Sequence, residues 1–164
     1  MQKKVNGNIT EYIMEGPISE KTEIFDQQIP NALGSEIKVN MDKVTFINSI
    51  GVKNWINWTM KIPRTVKFTL EKCPYVIINQ VNMVHGFVPE HATIESFVAP
   101  FICNSCQFEK PLMATLGKEY SYAAPGVERQ INLPEDMACP KCKAIMEPDF
   151  FEEKIFGFLT KRKI

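Results

Sequence analysis

The sequence lacks an excess of charge of either sign. Its 19 basic residues balance its 19 acidic residues, so the formal net charge at pH 7 is zero. No overall field therefore draws the chain to nucleic acid or to an anionic membrane. The N-terminal stretch MQKKVNGNITEY has no apolar signal-peptide core, and no stretch approaches the roughly 18 apolar residues of a membrane span. We expect a cytoplasmic protein without membrane contact.

The residue patterns of common enzymes are missing too. The chain has two histidines, His85 and His91, and neither stands in a Ser-His-carboxylate arrangement. The sequence contains no glycine-rich phosphate-binding loop and no metal pattern with an open coordination position. We therefore predict that the protein is not an enzyme.

Cysteine is present in a metal-binding pattern. Four of the five cysteines form two Cys-x-x-Cys pairs, CNSC (Cys103 and Cys106) and CPKC (Cys139 and Cys142). Each pair places two thiolates on one tight turn, which supplies half of a tetrahedral Zn²⁺ shell. We predict one closed, structural zinc site in a segment that resembles a zinc ribbon. A redox dithiol is the competing interpretation, because Cys-x-x-Cys also occurs in thioredoxin-like proteins.

The first hundred residues alternate strand-like and helix-like patterns, which predicts a mixed α/β fold. Strands are expected at NITEYIMEG, SEIKVNM, KVTFI, VKFTLEKC and TIESFVAPF, and helices at SEKTEIFDQQI, after Asn48, and at PYVIINQVNMV. We place one domain at residues 1–99 and a zinc-ribbon domain at residues 100–164. The latter should end in a helix at FFEEKIFGFL that docks on the rest of the protein.

The turn TFINSIG raises a specific question about glycine. Asn48 is the better N-cap of the following helix, because Ile47 and Val52 then occupy the positions of a hydrophobic staple. Ser49 is left at the first helical position, where its hydroxyl is not needed for capping. Gly51 costs up to about 1 kcal/mol relative to Ala inside a helix. Its presence indicates that another backbone or a partner comes close.

The stretch IKVNMDKVTFINSIGVKNW resembles the signature of the STAS domain, the fold of anti-sigma factor antagonists and of sulphate transporter cytoplasmic tails. In that family a strand leads to an Asp-Ser-x-Gly turn that opens a helix, and the order of elements over residues 8 to 99 is similar. The resemblance implies a sheet with helices packed on one face. It also implies a bacterial regulatory protein that acts by binding another protein.

In the bacterial regulators of this family, the turn serine is phosphorylated by a partner kinase that is also an anti-sigma factor. By position that serine is Ser49, while Asn48 replaces the usual Asp. Ser49 is thus a candidate phosphoacceptor; the alternatives are an unphosphorylated part of a partner surface or a plain helix-start residue. Trp58 lies about 60° beyond Trp55 on the helix, either exposed or at the border of the core. The candidate partner-binding residues are Asn48, Ser49, Gly51, Asn54 and Trp58.

Two other functions fit parts of the sequence. A zinc ribbon can serve a nucleic-acid-binding regulator, but acidic residues outnumber basic residues between positions 101 and 149, and only the terminal KRKI is clearly basic. Nucleic acid is therefore a less favoured partner than protein. The second alternative is a redox sensor that uses the paired thiols.

Overall fold

The computed structural model describes residues 1–30 and 32–161, with only the backbone of Lys161. The end of the predicted second domain, residues 162–164, lies outside the described residues, and with it most of the basic KRKI segment. The fold is mixed α/β, as predicted. Within the described ranges, no helix is long and apolar enough to cross a membrane.

A five-stranded sheet forms the N-terminal part, with its strands in sequence order. The strands are β1 (Gln2–Asn6), β2 (Ile9–Ile18), β3 (Glu36–Ile47), β4 (Lys67–Glu71) and β5 (Thr93–Ile94). β1 and β2 form an antiparallel pair, and all later pairs are parallel. Parallel neighbours need a crossover connection. A helix supplies it for two of the three parallel pairs, α1 (Ser49–Thr59) between β3 and β4, and α2 (Tyr75–Met83) between β4 and β5.

The two helices cover one face of this sheet. Along β3, Ile37, Val39 and Met41 are buried and alternate with polar residues, as the two-residue period of a strand requires. The opposite face is polar. There Glu36 forms an ion pair with Lys67 at 3.0 Å, and Lys38 forms one with Glu71 at 3.3 Å.

The C-terminal part is built from short strands. They are β6 (Ser96–Ile102), β7 (Glu109–Thr115), β8 (Tyr120–Ser121), β9 (Gln130–Ile131) and β10 (Glu147–Pro148). β6 lies between β10 and β7 in an antiparallel sheet, and β8 pairs with β9. Two helices of four residues follow, α3 (Glu152–Ile155) and α4 (Phe158–Lys161).

Several predicted elements differ from the structure. The prediction of a helix at SEKTEIFDQQI is wrong, because only a 3₁₀ turn forms there, η1 (Glu23–Asp26). Before it, the Thr22 hydroxyl accepts a hydrogen bond from the Ser19 N–H at 2.8 Å, a local bond that competes with helix formation. The two strands expected at SEIKVNM and KVTFI are one strand, β3. TIESFVAPF is divided between β5 and β6, which belong to different sheets.

The predicted boundary between residues 99 and 100 falls inside β6. One cluster of buried residues runs through both predicted domains. Phe97 of β6 packs against Phe156 and Phe158, with ring centroids 5.3 and 5.8 Å apart. The side-chain amide of Asn82 in α2 donates to the Ile155 carbonyl at 2.9 Å. The C-terminal segment is thus docked, although it forms two short helices rather than one.

Candidate metal centre and partner surface

The four paired cysteines meet at one point. Sγ of Cys103 lies 3.4 Å from Sγ of Cys142, and Sγ of Cys106 lies 3.6 Å from Sγ of Cys139. All four sulfurs lie within 4.8 Å of one another. A tetrahedral shell with metal–sulfur bonds of about 2.3 Å separates its sulfurs by about 3.8 Å. The cluster therefore has the size and the donors to hold a metal ion.

The two cysteine turns have the same hydrogen bonds. The Cys103 N–H donates to the Phe108 carbonyl at 2.9 Å, and the Cys139 N–H donates to the Ala144 carbonyl at 2.8 Å. Cys103 and Cys139, the first residues of the turns, are fully buried, whereas Cys106 is partly exposed and Cys142 is exposed. The site therefore lies at the surface with one side open to solvent.

The residue after each pair adopts a left-handed backbone conformation. Gln107 has φ of 55° and Lys143 has φ of 66°, a region in which glycine is favoured. Their N–H groups donate to the carbonyls of Cys103 and Cys139, at 2.7 and 3.0 Å respectively. Lys143 thus closes the second turn as Gln107 closes the first, although neither is glycine.

The thiols differ in acidity. Burial favours the neutral thiol of Cys139, but the N–H groups of Cys142 and Lys141 donate to its sulfur, and the pKa of Cys139 falls to about 6. Burial raises the pKa of Cys106 to about 12, against an opposing hydrogen bond from the Phe108 N–H. A bound cation stabilises thiolates, so metal binding here would release protons from the less acidic thiols.

The fifth cysteine, Cys73, belongs to the core. Cys73 is fully buried, and burial raises the pKa of its thiol far above the usual range. It forms a parallel bridge with Phe97. Cys73 therefore connects the end of β4 to the C-terminal part and takes no part in the four-cysteine cluster.

The turn between β3 and α1 begins the helix as predicted. Oδ1 of Asn48 accepts a hydrogen bond from the Gly51 N–H at 2.6 Å, which makes Asn48 the N-cap. Ser49 is exposed at the first helical position. Asn54, five residues later in the helix, is half-buried. The serine side chain is thus presented to solvent while the cap is formed by its neighbour.

Gly51 is buried against the chain's own backbone. A Cβ at this position would overlap the carbonyl oxygen of Ile18 and lie 2.8 Å from the Ile18 carbonyl carbon. The same carbonyl accepts a hydrogen bond from the Asn48 N–H at 3.1 Å. The close neighbour that the glycine predicted is therefore the end of β2. The prediction that Gly51 contacts a partner is wrong, because the residue is buried against the Ile18 carbonyl.

The prediction that Trp58 is an exposed residue for partner binding is also wrong. Its side chain is only 2% exposed. Its ring lies edge-on to Tyr12 and Phe68, with centroids 5.8 and 6.3 Å away, and 5.6 Å from the ring of Trp55. The broad apolar face of the sheet extends beneath the edge of the helix and buries both tryptophans.

Two exposed apolar residues close to Ser49 in the chain were not among the predicted site residues. Phe46 is 54% exposed and Ile50 is 52% exposed. Phe46 is paired in register with Pro17, which is exposed as well. Strand alternation from Val44 would not have found Phe46, because Val44 is buried two residues earlier and the pairing with β2 shifts register between Gly16 and Pro17. We use the name turn surface for Pro17, Phe46, Asn48, Ser49 and Ile50.

The turn surface is bordered by charges of both signs. The Asn48 side-chain amide donates to the Glu20 carboxylate at 3.3 Å. The pKa of Glu20 lies below its usual range, because its own backbone N–H and the Asn48 amide donate to the carboxylate. Lys53 is exposed one helical turn after Ser49. A carboxylate is therefore in contact with Asn48, the residue that precedes Ser49.

Comparison of the chain with protein-family models, with curated proteins and with solved structures gives no match.

Proposed function

We propose that this chain is a bacterial, non-enzymatic regulatory protein that acts by binding another protein through the turn surface. The observation that carries this proposal is the exposure of Phe46 and Ile50, which lie on either side of the exposed Ser49 along the chain. Apolar side chains grouped with uncharged polar ones at a surface are typical of protein interfaces. The STAS resemblance supports the same site, and it favours a partner of the anti-sigma factor or serine-kinase type.

Ser49 is the proposed phosphoacceptor of this surface. It is accessible, and it stands at the N-terminal end of an 11-residue helix whose free N–H groups favour a negative charge. A phosphate there adds roughly −1.5 to −2 charge to an interface flanked by apolar residues. Phosphorylation would therefore release the partner rather than unfold the protein.

Zinc is the metal that we propose for the four-cysteine cluster, in a structural role. Four sulfur donors in a tetrahedral set suit zinc or iron–sulfur chemistry, and the structural Cys₄ sites of zinc ribbons leave no position for water. Metal analysis of protein from cells grown without added metal should give one zinc per chain. Iron in place of zinc would contradict this assignment, and a metal-free disulfide form would favour the redox sensor.

Partner binding is tested by capture with matched variants. Wild type, Ile50→Glu and Val127→Glu are immobilised and exposed to lysate of the source cell. Val127 is the control, because it is a similarly exposed aliphatic residue, at 54%, far from the turn surface in sequence. A specific partner should be retained by wild type and Val127→Glu but lost from Ile50→Glu, and should then bind as purified protein. Equal retention by all three variants would contradict the proposed surface.

A further inference from the structure

A cavity of about 780 Å³ lies between the ends of α1 and α2, the loop of residues 84–92, and helix α4. Small-molecule sites are concave, mostly apolar and roughly 300–1,000 Å³ in volume. The cavity fits this description in both size and lining. Its main apolar residues are Ile56, Met60, Val81, Val84, Val88 and Phe158.

The walls of the cavity are fixed by packing on the core. Phe87 in the loop is 1% exposed, and its ring centroid lies 6.0 Å from that of Trp55. On the other side, the Tyr122 hydroxyl accepts a hydrogen bond from the Ile94 N–H at 2.9 Å, and the Tyr122 ring packs on Phe158 at 5.9 Å. The loop and α4 are therefore both held in place, and the cavity does not require a ligand to form.

The charged side chains of the lining are one cation and one carboxylate. Arg64, His85 and His91 line the cavity together with one carboxylate, Glu90. Arg64 and Glu90 form an ion pair at 3.1 Å, with side chains 78% and 60% exposed. An ion pair this exposed contributes little stability, so Arg64 can exchange Glu90 for another carboxylate at small cost. The planar guanidinium is well suited to bind a carboxylate through two hydrogen bonds.

We infer that this cavity binds a small amphipathic carboxylate. The apolar chain of the ligand lies between α1, α2 and α4, where burial of methylene groups drives binding. The carboxylate is bound at the rim by Arg64, in a lining that also contains the exposed imidazole of His85. A medium-length fatty acid has this chemistry. The inference rests on the cavity alone and does not depend on the turn surface or on the metal.

The test uses decanoate as the probe and 1-decanol as its uncharged counterpart. In calorimetric titrations of the full chain, decanoate should bind with one site per molecule. Arg64→Gln should weaken decanoate binding about fivefold to tenfold and leave decanol binding unchanged. Arg129→Gln, which removes an exposed guanidinium outside the cavity lining, should leave both unchanged. Absence of saturable decanoate binding to wild type, or equal loss in the two arginine variants, would overturn the inference.

The place of binding is tested separately. Val88→Trp fills part of the cavity and should abolish the binding of both probes, while folding is checked by circular dichroism. Methyl NMR of wild type provides a readout that does not depend on this variant. Decanoate should shift the methyl signals of Val84 and Val88 and leave those of Val127, which is exposed and outside the cavity lining, in place. Unshifted cavity methyls would overturn the assignment of the site.

Discussion

Gly51 and Ser49 stand two positions apart at the start of α1, and the structure gives them opposite environments. Gly51 is buried against the Ile18 carbonyl, whereas Ser49 is exposed. The glycine therefore serves the fold, because it lets the helix approach the end of β2. The Ser49 hydroxyl is not needed to cap the helix, since Asn48 is the N-cap. A substitution at either position should consequently affect a different property of the protein.

Gly51→Ala should destabilise the fold, although alanine is the better helix former. The added methyl overlaps backbone that cannot move without disturbing β2, and overpacking of this kind costs about 1–3 kcal/mol. For a chain of this size each kcal/mol lowers the melting temperature by about 2–4 °C. Lys53→Ala, an exposed change in the same helix, is the control and should stay within about 0.5 kcal/mol. A Gly51→Ala protein as stable as wild type would show that the Ile18 carbonyl tolerates the contact.

Ser49→Asp should abolish partner binding without unfolding the protein. A carboxylate at the first helical position interacts favourably with the helix N-terminus, so thermal stability should change by no more than about 0.5 kcal/mol. Burying that charge in the interface between Phe46 and Ile50 without a basic partner group costs several kcal/mol. Ser49→Ala is the control and should bind normally. A titration in which Ser49→Asp binds as tightly as wild type would place Ser49 outside the interface.

At the residue scale, the sequence predicted features that depend on neighbours along the chain. The Asn48 cap and the close approach at Gly51 both follow from positions within one helical turn. The full burial of Trp58 could not be predicted in this way. It depends on Tyr12 and Phe68, two residues of separate strands that extend the apolar surface beneath the helix edge.

The two cysteine turns are the elements that the sequence predicted best. A Cys-x-x-Cys spacing determines a local turn, and the two turns have matching hydrogen bonds. By contrast, the helix predicted at SEKTEIFDQQI from its apolar pattern does not form. The hydroxyls of Ser19 and Thr22 accept hydrogen bonds from nearby backbone N–H groups, and these local bonds compete with the helix. The division of TIESFVAPF between two sheets depends on tertiary pairing, which no local pattern encodes.

Lys143→Gly should stabilise the second cysteine turn. Lys143 has φ of 66°, a conformation that is unfavourable for a residue with a Cβ and free of that penalty for glycine. After allowance for the greater entropy of glycine in the unfolded chain, a gain of about 0.5–1 kcal/mol is expected. Lys143→Ala removes the same charge but keeps the Cβ, so it should give no gain. Thermal melts of the metal-loaded proteins measure both, and equal stabilisation by the two variants would assign the effect to charge.

At the scale of the whole molecule, the C-terminal helices belong to the core rather than to the metal site. Phe156 is 1% exposed and packs on Phe97 and Tyr120, at ring-centroid distances of 5.3 and 5.9 Å. The cysteine turns lie at the other end of β6. The boundary is expected at residues 99 and 100 because the predicted strand TIESFVAPF leads there into the first cysteine pair, whereas the packing continues through β6 into α3 and α4.

Loss of the metal and loss of the aromatic core should therefore loosen different segments. Cys139→Ser removes one ligand, so it should lower the metal content and raise hydrogen exchange in residues 103–148, while α3 and α4 keep their protection. Phe156→Ala creates a cavity that costs about 3–5 kcal/mol, and it should raise exchange in α3 and α4 while the metal content stays at the wild-type level. Exchange measured by mass spectrometry on both variants, with metal analysis of the same samples, tests this pair of expectations. If α3 and α4 lose protection together with residues 103–148 in Cys139→Ser, the C-terminal helices depend on the metal, and the boundary near residue 100 describes the molecule better than the shared core does.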